Sequence, residues 1–218
     1  MMECRRSAYR IMHIYPVFPV RLWPSQHDSA KIDFLNGQPV VLGILQPAGW
    51  SRDSTRQELR LATCKFLADC LQIAPDDLVF HTVPGEKSHI RIHEEQLHTS
   101  ISHEDGLSVI VLSRSQAAGI DILRLPPDFD WLDLANLYLG SQQADAILRA
   151  PRSQHTQLFA RAWTLLEARC KYSGIPLTEF SEMPQQHMAD DCRTNTYCLD
   201  LPGDYSGSLV LAKTTNPP

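Results

Sequence analysis

Hydrophobic and polar positions alternate in several distinct rhythms along this chain. Val40 to Leu45 (VVLGIL) is an unbroken apolar run and predicts a buried strand. From Ser51 the rhythm changes. Leu59, Leu61, Ala62, Phe66 and Leu67 form one apolar face, which predicts a helix from near Ser51 to about Leu71, capped by Ser51 or Ser54. Arg52, Arg56 and Arg60 recur every four residues on another face of that helix. Leu78 to Thr82 reads as a strand after the Asp76-Asp77 turn, and Pro84-Gly85 as a turn. Thr99 to Ser102 predicts a short strand. Leu107 to Ser113 and Ala117 to Leu125 are strand-like runs, joined by the polar Arg114-Ser115-Gln116, which signals a hairpin ended by Pro126-Pro127. Phe129 to Leu139 and Ser141 to Arg149 predict helices. The strongest helical pattern runs from about Gln154 to Tyr172, with Gly174 as its stop. Tyr197 to Leu201 and Tyr205 to Ala212 close the chain as strands.

Each half thus carries a long helix flanked by strands. The pattern predicts a mixed α/β (α+β) fold with two similar lobes. The expected boundaries are a disordered leader at 1–10, an N-terminal lobe at 11–105 and a C-terminal lobe at 106–218.

Composition narrows the class. With 218 residues, 43% hydrophobic and 21% charged, the chain can bury a sizeable core and is neither fibrous nor disordered. Net charge is −5 and the pI about 6.0, which argues against a nucleic-acid binder. No apolar run reaches membrane-spanning length. Ile11 to Val20 follows three arginines, but His13, Pro16 and Pro19 interrupt it. It makes a poor signal-peptide core, so a cytoplasmic location is expected. The six cysteines (Cys4, Cys64, Cys70, Cys170, Cys192 and Cys198) include no C-x-x-C pair and are read as reduced, mostly buried side chains. His89 and His93 sit in a polar stretch that predicts a solvated loop or edge strand rather than a zinc site.

Three segments carry candidate chemistry: Ser100-Ile101-Ser102-His103, Gly119-Ile120-Asp121-Ile122, and Trp163 to Lys171 (WTLLEARCK). Asp121 interrupts an apolar strand. It reads either as a strand-end carboxylate facing water or as a ligand for a hard cation such as Mg²⁺. Trp163, Glu167 and Lys171 recur every four residues and share one helix stripe. That stripe reads either as a solvated Glu–Lys pair or, because a tryptophan lies on it, as a half-buried site. There the carboxylate would hold metal and the ammonium phosphate.

The run SISHEDGLSVIVLSRSQAAGID followed by WTLLEARCK resembles the 4′-phosphopantetheinyl transferases of the surfactin-synthetase-activating, pseudo-dimeric type. Glu167 follows Asp121 by 46 positions. Gly85-Glu86-Lys87, the Arg56 helix and the closing strand from Tyr205 extend the likeness over about residues 40 to 212. Two positions depart from the family pattern: its second acid is Leu123 here, and the lysine before the helix glutamate is Leu166.

The resemblance implies a two-lobed, monomeric protein with the site between the lobes.

 It further implies transfer of the phosphopantetheine arm of coenzyme A to a serine of an acyl or peptidyl carrier protein, releasing 3′,5′-ADP. Asp121 and Glu167 would hold Mg²⁺, while Glu167 and Lys171 would be catalytic. Arg56, Lys87, Ser102 and His103 would bind coenzyme A. The carrier protein would dock near the segment after Asp121, with no nucleic acid or membrane as partner. Leu123 leaves open a non-catalytic homologue that only binds carrier proteins, and a third reading is an unrelated Mg-dependent hydrolase.

Overall fold

The computed structural model describes residues 15–81, 87–183 and 192–213. The expected leader at 1–10 lies outside them, as do Gly85 and Glu86. The elements are β1 (Val17–Trp23), α1 (His27–Leu35), β2 (Val40–Leu45), α2 (Arg52–Leu71), β3 (Leu78–His81), β4 (His89–Ile92), β5 (Glu95–Glu104), β6 (Leu107–Ser113) and β7 (Ala118–Leu123). There follow α3 (Leu132–Leu134, continued by a π-helical turn Ala135–Leu139), α4 (Ser141–Leu148), α5 (His155–Ser173), β8 (Thr194–Asp200) and β9 (Ser206–Ala212).

The strands form one nine-stranded sheet in the order β3-β4-β5-β6-β2-β1-β8-β9-β7. β1 pairs in parallel with both β2 and β8, and the other pairings are antiparallel. The mixed α/β class is as expected, and no described helix is long and apolar enough to cross a membrane.

Two surfaces of the sheet are covered in different ways. Leu59, Phe66 and Leu67 of α2 and Phe34 of α1 pack on Leu42, Ile110 and Leu112 of β2 and β6. The alternate residues Val41, Val109 and Val111 face the other way and meet Ile120, Leu209 and Leu211 of β7 and β9. α5 covers the outer side of β7 and β9, where Thr164 and Ser208 hydroxyls lie 2.9 Å apart. α3 and α4 pack on α5 through Ala135, Ile147 and Phe159. The layers therefore run helix, strands, strands, helix.

α2 begins as its sequence predicts, with Ser51 Oγ accepting the Ser54 amide at 3.1 Å. α5 stops at Gly174, whose φ of +73° suits a residue without a Cβ. The expected hairpin from Leu107 to Leu125 does not form. β6 pairs with β5 and β2, whereas β7 pairs with β9, so residues 114–117 carry the chain from one strand layer to the other. The boundary expected at 105/106 falls in the turn between the paired strands β5 and β6. His89 lies on β4, an internal strand between β3 and β5 rather than a loop or edge, and His93 lies in the turn after it. Of the described cysteines, Cys70 and Cys170 are buried, Cys64 and Cys198 intermediate and Cys192 exposed, and all are free.

Candidate active site

β7 ends the sheet, so the amides on its outer edge need partners from elsewhere. They find them in side chains of β5. Ser100 Oγ accepts the Ile120 amide at 3.1 Å, and Ser102 Oγ accepts the Ile122 amide at 3.3 Å. The Glu104 carboxylate accepts the Arg124 amide in the same way. Residues 100, 102 and 104 alternate onto one face of β5, so a single row of side chains closes the edge.

On β7 the alternation sends Ile120 and Ile122 into the core and Asp121 toward α5. Gly119 makes that approach possible, because a Cβ there would strike the Ala168 carbonyl and the Tyr172 amide. Asp121 is 4% exposed. Its Oδ1 accepts from Ser102 Oγ and from Lys171 Nζ, both at 2.7 Å. Lys171 Nζ also donates to the Ile101 carbonyl at 3.2 Å, which ties the end of α5 to β5. One turn earlier, Trp163 Nε1 donates to Glu167 Oε1 at 3.0 Å. The stripe of Trp163, Glu167 and Lys171 is thus the half-buried arrangement, not a solvated ion pair.

Burial pushes the Asp121 carboxyl above its ordinary range, against the opposing pull of Lys171 and Ser102. Burial, then the Asp121 charge, pushes Glu167 up as well. Glu104 is raised by the same two causes. A lone strand-end aspartate in water would not feel such an environment.

Beside these carboxylates opens a cleft of about 870 Å³. Arg56 and Arg60 of α2, Lys87, His103 of β5 and Lys171 of α5 all line it. Of the seven expected site residues, Arg56, Lys87, His103 and Lys171 therefore meet on one cavity. Arg60 also stacks over Phe80 at 4.9 Å, and Lys87 Nζ lies 5.5 Å from the Tyr172 ring centre. Arg52 is absent from the wall, so of the three helix arginines Arg56 and Arg60 face the cleft. Ser102, Asp121 and Glu167 are also outside the wall. Ser102 instead orients Asp121 and caps β7.

His103 differs from the cations around it. Burial, together with Arg56, Lys171 and Arg52, lowers its imidazole to about 4, so the ring is neutral at pH 7. Its Nδ1 lies 2.8 Å from Ser108 Oγ, which donates to Gln46 Oε1 at 3.0 Å. Arg60, Ser108 and Gln46 were not singled out as site residues by sequence. The visible signal for Ser108 was a hydroxyl inside the otherwise apolar LSVIVL run.

Among the described residues no three His, Cys, Asp or Glu side chains are arranged to hold a metal ion. Mg²⁺ is nevertheless compatible with the donors present. It is commonly bound by one or two carboxylates together with substrate phosphates and waters. Asp121 and Glu167 each have one oxygen in the hydrogen bonds above and a second oxygen outside them. Glu104 is tied to the backbone amides of Asp105 and Arg124 as an edge cap. No protein-family model and no curated protein matches the chain.

Proposed function

We propose that the protein transfers the phosphopantetheine arm of coenzyme A to a serine hydroxyl of a carrier protein. The observation that carries this reading is the meeting of the cations Arg56, Arg60, Lys87 and Lys171 on one cleft, next to the Asp121–Glu167 carboxylates. A polyanionic ligand needs such a cationic cavity in a chain whose net charge is −5. The two-lobe symmetry belongs to the same proposal. Its support is that each half lays a long helix on strands, α2 on β2 and β6, α5 on β7 and β9.

In the proposed reaction the serine oxygen forms a bond to the phosphorus that carries the pantetheine arm. The bond from that phosphorus to the bridging oxygen breaks, and 3′,5′-ADP leaves with the electron pair. Glu167 accepts the serine proton, a role suited to a carboxyl held above its ordinary range. Lys171 stabilises charge on the leaving phosphate. Arg56 and Lys87 hold the phosphates of the nucleotide, and Ser102 holds Asp121 in place. Asp121 and Glu167 would hold Mg²⁺, which supplies charge neutralisation at the pyrophosphate oxygens.

A second reading has its own support. Leu123 offers no ligand oxygen, and Asp121 Oδ1 already has two protein donors. A homologue that binds carrier proteins without modifying them would retain those features. Mass spectrometry of apo-carriers incubated with coenzyme A and Mg²⁺ separates the readings. A gain of one phosphopantetheine supports transfer. Tight carrier binding without a mass change supports the second reading, and coenzyme A consumption with an unmodified carrier points to a hydrolase.

A further inference from the structure

His103 is held from behind by hydrogen bonds whose directions are forced. Gln46 Nε2 donates to the Thr55 carbonyl at 3.2 Å. A carbonyl only accepts, so the Gln46 amide cannot be turned round, and its Oε1 faces Ser108. Ser108 Oγ, 3.0 Å away, must donate to that oxygen. A hydroxyl has one proton, so toward His103 it can only accept. The ring nitrogen at 2.8 Å, Nδ1, therefore carries the hydrogen. Ser108 is 0% exposed, which keeps water out of this chain of bonds. A neutral imidazole has one N–H, so Nε2 is a bare lone pair. Nε2 takes no hydrogen bond among the described residues, and the ring lines the cleft.

We propose that Gln46 and Ser108 are positioning residues that fix His103 as the Nδ1–H tautomer, so that Nε2 meets the ligand of the cleft as an acceptor and selects a ligand O–H. Only the identity of the ligand rests on the coenzyme A reading. The cations of the wall recognise ionised oxygens. A bare nitrogen lone pair among them repels such an oxygen and favours one that still bears a proton. Coenzyme A offers that chemistry from three sources: its ribose hydroxyl, the hydroxyl of its pantoyl unit and the singly protonated form of its phosphate monoester. Without the relay, Ser108 would be free to donate to Nδ1, and the ring would present an N–H to the cleft instead.

Nitrogen-15 NMR of the imidazole in the full chain reads the tautomer without ligand or turnover. The expected result at pH 7 is Nδ1–H in the wild type and a shift toward Nε2–H in Gln46→Leu and Ser108→Ala. Calorimetric titration with coenzyme A and dephospho-coenzyme A reads the ligand. Both variants should bind about tenfold more weakly, the size of one net hydrogen bond. A loss for both ligands assigns the donor to a hydroxyl, that of the ribose if 3′,5′-ADP shows the same loss and that of the pantoyl unit if it does not. A loss for coenzyme A alone, larger at pH 6 than at pH 8, assigns it to the phosphate. A wild-type ring in the Nε2–H form, or variants that change tautomer and keep full affinity, overturns the proposal. Failure of coenzyme A to bind the wild type overturns the coenzyme A reading and the ligand half of the proposal, while the NMR result alone decides the tautomer half.

Discussion

Lys171 Nζ and Asp121 Oδ1 stand 2.7 Å apart, with the aspartate side chain 6% exposed and the lysine 31%. The ammonium is the charge that compensates a buried carboxylate. Lys171→Ala should therefore cost about 1–3 kcal/mol of stability, less than a wholly buried pair because the lysine is partly hydrated. Urea unfolding measures this. The same variant should lower turnover more than coenzyme A affinity, since the ammonium matters most as the leaving phosphate gains charge. A loss of affinity at unchanged turnover would make Lys171 a ground-state clamp.

Glu167 gives a pH-dependent stability with a definite sign. Its folded carboxyl is raised by burial and by Asp121. A raised carboxyl binds its proton more tightly in the folded state. Its contribution is present below the unfolded value of about 4.3 and is lost as pH rises through the folded value. Glu167→Gln has no charge to bury. It should be more stable than the wild type at pH 7 by about 1 kcal/mol, with the gap closing toward pH 4. Transfer should be almost abolished in this variant, as in Asp121→Asn. Near wild-type turnover of either at saturating Mg²⁺ would remove the metal assignment.

Leu123 shares a face of β7 with Asp121 and stands where the resembled family carries an acid. Leu123→Glu should lower the Mg²⁺ concentration needed for half-maximal rate, whereas Leu123→Ala should leave it nearly unchanged. Titrating Mg²⁺ at fixed coenzyme A compares them with the parent. An unchanged requirement in Leu123→Glu would show that residue 123 does not reach the metal.

Gly119→Ala tests how closely α5 must approach β7. The added Cβ would meet backbone atoms of Ala168 and Tyr172, which cannot rotate aside. Moving α5 off the strand should cost about 3 kcal/mol and misplace Lys171 relative to Asp121. Thermal unfolding checks the first effect. A variant of unaltered stability would mean that α5 shifts freely.

The long helices were legible because each combines a sustained apolar stripe with a terminal signal, Ser51 for α2 and Gly174 for α5. β1 was not, because Pro19 interrupts it and only Val20 is fully buried, yet it lies between β2 and β8. α1 buries only Ala30 and Phe34, too few positions to form a stripe. The false hairpin arose because short polar linkers say nothing about distant partners, and the partner of β7 is the last strand of the chain. That Arg56, Lys87, His103 and Lys171 would come together was suggested only by resemblance, since they are far apart in sequence, and nothing in the sequence placed Ser102, Asp121 and Glu167 off the cleft wall. The role of Ser102 was hidden because it depends on an open strand edge created only by tertiary structure.

The row of Ser100, Ser102 and Glu104 along the β7 edge has a mechanical consequence. It works like the teeth of a rack. Each tooth serves one outward amide, and outward amides recur every second residue, about 6.6 Å apart. A slip of one residue would turn Asp121 into the apolar core and Ile120 or Ile122 toward α5. The carboxylate can therefore shift along the strand only by a full tooth, never by a fraction, so its position against Lys171 of α5 is indexed rather than continuously adjustable.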